Sequence, residues 1–165
     1  MQPGDALNAV AQVAVTLAGF AGIVVVFRPE SVHQWSALDK FRLRLLLANS
    51  ALPLGSSLFA MLLLAINPPP VAIWRWCSGF VLAVDLLFQI TNRNPRRDIP
   101  AAEFQAVSKI MYSTVAAFVL AALGLQVLNI VLWNQFWAFF AILFVHLLAA
   151  IMQFVRMILL TPDRR

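Results

Sequence analysis

At 165 residues the chain has the length of one ordinary domain, yet 62% of it is hydrophobic and only 12% is charged. That balance excludes a water-soluble fold, because so much apolar surface could not be covered in a domain of this size. The net charge of +5 is taken up by the joints between apolar runs, where basic residues serve topology and lipid headgroups, so no basic patch is left for a nucleic acid.

Five apolar runs divide the sequence: Leu7 to Phe27, Phe41 to Ile66, Val71 to Thr91, Lys109 to Leu132 and Gln135 to Leu160. Each has the roughly 20 residues an α-helix needs to cross a hydrocarbon core of about 30 Å. They are apolar on all sides, whereas the strands of a membrane barrel alternate with period two. The expected fold is therefore all-α, a single polytopic domain built as a bundle of five transmembrane helices. Basic residues sort to one side of this arrangement. Arg28, Lys40, Arg42, Arg44, Arg93, Arg96, Arg97, Lys109, Arg156, Arg164 and Arg165, eleven of the twelve, fall on the side that excludes only Arg75. Since Lys and Arg are retained in the cytoplasm, the N-terminus is expected outside and the C-terminus inside.

In chain order, the first run begins without the basic n-region of a secretory signal and is expected to remain as a span. Asn8, Gln12 and Thr16 recur every four residues and mark one face, continued by Gly19. Ala14, Ala18 and Gly22 form a second, small-residue stripe of the kind that lets helix backbones approach closely. Both stripes predict that this span is buried among helices. The joint "RPESVHQWSALDKFRLRLL" mixes charge with apolar residues and suits a helix start in the headgroup region.

The second run contains "ANSALPLGSS", where Asn49, Pro53 and Ser56 share a face. Pro53 frees a carbonyl near the middle of the span, a group that needs a partner there. The short joint "NPPP" then predicts a tight antiparallel hairpin. In the third run Trp74, Ser78, Asp85 and Gln89 lie on one side, with Asp85 roughly 6 Å past the middle at 1.5 Å per residue. A lone carboxylate in hydrocarbon costs several kcal/mol, so Asp85 needs a partner, water or a proton. Asn49 lies at a similar depth, and Arg156 is the expected cationic partner.

The joint "NRNPRRDIPAAEFQAVSKIMY" reads as a basic turn followed by a helix start, with Pro100 in the first turn and Glu103 at the positive end of the helix dipole. The joint "WNQFW" predicts a second hairpin between the fourth and fifth runs. His146 lies near the middle of the fifth, with Gln153 seven residues later on the same face. Such a histidine can relay a proton, ligate a pigment or haem, or bond across helices. Without a second intramembrane histidine, bis-His haem ligation within one chain is excluded.

Cys77 is the only cysteine, so neither an internal disulfide nor a Cys/His metal cluster is possible. No metal or cofactor motif occurs, and no hydrolase or nucleotide-binding signature points to an enzyme. The functional expectation is a small homo-oligomeric ion channel or pore, for cations or protons, in a bacterial inner membrane. Asp85, Asn49, His146, Gln12 and Asn8 are its candidate path, while Arg156, Ala14, Ala18, Gly22 and Pro53 serve packing or ion pairing. The alternative is an accessory subunit packed against other membrane proteins, with no conduction or catalysis of its own.

Overall fold

The computed structural model describes residues 2–27, 31–91 and 109–159. Its elements are helices α1 (Pro3–Phe27), α2 (Ala37–Ala65), α3 (Ile73–Thr91), α4 (Lys109–Leu128) and α5 (Phe136–Leu159), with a 3-10 turn at Val32–Gln34. The end of α4 widens into a π-helical turn over Asn129–Trp133. No strand occurs among the described residues, and the five helices are long and apolar enough to cross a membrane. The basic joint with Arg93, Arg96, Arg97, Pro100 and Glu103, and also Arg28, Arg164 and Arg165, lie outside the described residues.

Helix ends depart from the apolar runs where capping chemistry outweighs hydropathy. α1 starts at Pro3, not Leu7, since proline suits the first helical turn and Asp5 complements the dipole there. α2 starts at Ala37, not Phe41, because the hydroxyl of Ser36 accepts the N–H of Asp39 at 3.1 Å. Pro53 lies inside α2, which is one helix from Ala37 to Ala65. At the α4–α5 joint Asn134 takes the left-handed conformation (φ 53°) and its N–H bonds the Asn129 carbonyl at 3.0 Å. Asparagine is the side chain best suited to that position after glycine.

α5 packs against all four other helices and forms the axis of the bundle. Its Phe139, Ile142, Leu143 and Ala150 meet Leu7, Ala14 and Ala21 of α1, Leu46 and Ala60 of α2, and Val81 of α3 in one core. Ring pairs support it on two sides, Phe20 on Phe154 at 5.3 Å and Phe59 on Phe80 at 4.4 Å between centroids. The buried face of α1 is thus Leu7, Val10, Ala14, Leu17 and Ala21. This corrects the expected small-residue stripe: Ala14 is in the core, but Ala18 is only half-buried and Gly22 is exposed. Leucine and valine at helical spacing occupy more of the groove than glycine can, and they win the inward face.

The two short joints and the N-terminus gather at one end of the bundle, called here the hairpin end; Arg42 and Arg156 lie at the other, the basic end. Toward the hairpin end a closed hydrogen-bond network joins three helices. Ser78 donates to Oε1 of Gln126 at 2.8 Å, and Nδ2 of Asn129 donates to Ser78 at 2.8 Å. Gln126 in turn donates to the Ala138 carbonyl at 2.7 Å, and Asn129 accepts the N–H of Gln135 at 2.7 Å. Asn134 completes the end by bonding the N–H of Arg75 and the carbonyl of Val71. Since interhelical hydrogen bonds in membranes are worth about 0.6–2 kcal/mol each, Asn129→Leu is expected to lower the stability of the folded protein by about 1–3 kcal/mol. Reversible unfolding in mixed micelles measures this, and an unchanged midpoint would show the network to be energetically idle.

Candidate functional site

Asp85 and His146 are side chains that an apolar helix interior tolerates only with partners, and the bundle provides them to each other. His146 is 3% exposed and Asp85 1%. Nε2 of the imidazole lies 3.1 Å from Oδ2 of Asp85, and Nδ1 lies 2.9 Å from Oδ1 of Asn49. Three helices therefore meet at one ring: α2 through Asn49, α3 through Asp85 and α5 through His146.

The proton inventory follows from these contacts. Nδ2 of Asn49 donates to the Leu45 carbonyl at 2.8 Å, an i to i−4 bond along its own helix. With the amide nitrogen so engaged, its oxygen faces the ring, and Nδ1 of His146 must carry a hydrogen to donate to it. A single further proton is shared between Nε2 and Oδ2. Placed on nitrogen it makes an imidazolium and a carboxylate; placed on oxygen it makes a neutral imidazole and a carboxylic acid. Both arrangements have zero net charge, which is why the pair can persist in a dry interior.

Beside the pair lies a cavity of about 400 Å³, walled by α2, α3, α4 and α5. Asp85, His146 and Asn49 stand on its wall together with Gln89, Gln153 and Arg156. His146, Gln153 and Arg156 follow one another on the same face of α5, so the cavity extends roughly 15 Å along that helix at 1.5 Å per residue. The remaining wall is apolar, with Leu45 of α2 and Val115, Val119, Leu120 and Leu123 of α4. Oδ1 of Asp85, Oε1 of Gln153 and Nε of Arg156 are buried without a hydrogen-bond partner. Unpaired polar atoms of this kind are rare in folded interiors and call for an explanation in function.

Toward the hairpin end the site is sealed. Val81, Ile142 and Leu143 are fully buried and separate Asp85 from Ser78, which lies about 10 Å away along α3 at 1.5 Å per residue. Toward the basic end Arg42 is held by Asp39 at 3.3 Å and lies within electrostatic reach of Arg156.

Of the residues expected from sequence, Asp85, Asn49 and His146 come together, with Gln153 on the same cavity. The partner of Asp85 is His146, not Arg156, which stands farther along α5 and makes no ion pair with a carboxylate among the described residues. Asn8 and Gln12 do not join the site: both are exposed on the outer face of α1, as are Thr16 and Gly19. Their spacing marks a face correctly, but spacing alone cannot tell a face turned inward from one turned outward. Cys77 is a buried free thiol in the core. Gln126 and Asn129 escaped the sequence reading because they are isolated polar residues in an apolar run; only their i, i+3 spacing, which puts both on one face at the end of α4, hints at a shared network. No group of His, Cys, Asp and Glu among the described residues can hold a metal ion.

No protein-family model, curated protein or solved structure matches the chain.

The hydrogen-bond assignment is open to test. In protein labelled with ¹⁵N-histidine, His146 is expected to show a protonated Nδ1. Asn49→Leu, which removes the acceptor, is expected to release that tautomer and broaden or shift the Nδ1 resonance; a ring protonated only at Nε2 in the unaltered protein would contradict the geometry.

Proposed function

We propose that the protein is a proton-conducting membrane protein in which the Asp85–His146 pair takes up and releases the proton. The observation that carries this reading is the imidazole held at both nitrogens, by Asn49 and by Asp85, on the wall of the cavity. Moving the shared proton between Nε2 and Oδ2 changes no net charge. Adding or removing one at the cavity side changes it by one unit, which is the step a proton path requires. Arg156 on the same cavity disfavours metal cations, so protons are preferred to sodium or potassium as the permeant species. The concentration of Lys40, Arg42, Arg44 and Arg156 at one end supports placing that end in the cytoplasm.

The apolar layer of Val81, Ile142 and Leu143 makes the described conformation a closed one. Conduction then depends on water or a helix displacement crossing that layer to reach Ser78 and Asn129. Proton flux into proteoliposomes, read with a trapped pH dye under an imposed potential, is expected for the unaltered protein. Asp85→Asn is expected to lower it by about tenfold or more, the loss typical of removing a titrating group from such a path. Absence of flux from folded protein would overturn the reading and favour an accessory subunit.

Association with a second copy is supported by α1. Gln12 lies roughly 14 Å from the start of a helix about 37 Å long at 1.5 Å per residue, inside the hydrocarbon for any placement of a 30 Å core. Exposed there, its amide needs a partner, and the same amide on another copy is self-complementary, donor to acceptor in both directions. Gln12→Leu is expected to weaken self-association by about 1–2 kcal/mol, measured by energy transfer between labelled copies in liposomes. An unchanged transfer efficiency would remove α1 as the contact.

A further inference from the structure

Arg156 is the charged residue on the cavity wall that takes no part in the Asp85–His146 pair. It is 8% exposed, so most of the side chain lies within the bundle. Helix side chains lean toward their N-terminus, which draws this one back along the cavity. Its Nε has no partner, and no carboxylate among the described residues pairs with it. Arg42, also 8% exposed, brings a second positive charge close by, and its Nε is unpartnered as well. One turn deeper on the same face, Oε1 of Gln153 is a buried acceptor without a donor. Across from these polar groups the α4 side of the wall is aliphatic, with Val115, Val119, Leu120 and Leu123, while Asn49, Asp85 and His146 lie at the far end.

We propose that the cavity binds a single-chain anionic amphiphile, with its carboxylate or phosphate on Arg156 and its hydrocarbon along Val115, Val119, Leu120 and Leu123 of α4. The volume of about 400 Å³ lies within the range of small-molecule sites. At a liquid-like volume of about 30 Å³ per water-sized group, it holds at least on the order of a dozen methylene-sized groups, enough for one chain. An anionic head satisfies the buried guanidinium with a charge-assisted hydrogen bond, and the chain replaces poorly hydrated apolar surface. Asp85 and His146, neutral as a pair, stay at the far end of the chain and do not contribute to recognition of the head. The site is thus separable from proton movement, although both use one cavity.

The test uses the full chain in nanodiscs of zwitterionic lipid, with a doxyl-labelled fatty acid and its uncharged methyl ester as probes at alkaline pH. Saturable immobilisation of one acid per chain is expected, with a preference over the ester of about tenfold, the equivalent of one charge-assisted hydrogen bond. Arg156→Gln should abolish the preference, and Val119→Trp, which fills the cavity, should remove binding of both probes. Asp85→Asn should leave probe binding unchanged even where it stops proton flux, so the two readings fail independently. Displacement of the probe by free fatty acid but not by lysophosphatidylglycerol identifies a carboxylate as the head; displacement by lysophosphatidylglycerol but not by fatty acid identifies a phosphate, and displacement by neither overturns the proposal. Equal immobilisation of acid and ester by the unaltered protein overturns the proposal without recourse to any variant, as does a preference that survives Arg156→Gln.

Discussion

Inside hydrocarbon no water competes for a hydrogen bond, so each polar side chain on these helices must find its partner within the bundle or leave an atom exposed to an apolar medium at a cost of several kcal/mol. The chain meets that constraint in two different ways at its two ends. Toward the hairpin end, Ser78, Gln126 and Asn129 are linked to one another and to the backbone of α5, and the network is closed. Around the cavity the ring of His146 is fully engaged, yet Asp85, Gln153 and Arg156 each keep an unpartnered atom. The first arrangement fixes helix positions. The second leaves chemical capacity in a place where leaving it is expensive.

The contrast bears on rigidity as well as chemistry. α3 and α4 are tied by Ser78 through Gln126 and Asn129, while the cavity separates them farther along. The apolar layer of Val81, Ile142 and Leu143 lies between these regions and packs on the axis formed by α5. Any passage from the cavity to the hairpin end must disturb that layer, and the cost of opening close-packed side chains makes a closed state the natural default.

The fold was largely legible because hydropathy reports burial in lipid directly: five apolar runs became five helices. Their ends were less legible, as Ser36 and Pro3 extend helices into polar sequence through capping, to which hydropathy is blind. For the site, Asp85 and Asn49 were placed at matching depth by counting through the hairpin, and both reach His146. Choosing Arg156 as the partner of Asp85 relied on charge complementarity and ignored that the pair His146–Asp85 attains neutrality with a shared proton. Inward and outward faces of α1 were the weakest point. Asn8, Gln12 and Thr16 form a face by periodicity, but in a helix apolar on nearly every side the leucine and valine face packs inward as readily, and only tertiary packing decides.

Charge arrangement gives the cavity a direction that neither its shape nor its lining composition supplies. At the deep end Asp85 and His146 pair at 3.1 Å, an acid beside a base. At the basic end Arg156 and Arg42 stand near one another with Asp39 on Arg42, and the field is positive. An incoming anion is drawn to the mouth and meets no attraction farther in, whereas an incoming metal cation is repelled before it reaches the acceptors at Asp85 and Gln153. A proton, which can be handed over by water and need not travel as a bare ion, is the cation least affected by that barrier. On the proposed readings, the same arginines that make the cavity a poor route for sodium or potassium hold an anionic head at the basic end. The proposed head and the proposed proton step thus sit at opposite ends of one cavity, roughly 15 Å apart along α5 at 1.5 Å per residue, and this distance keeps them separable.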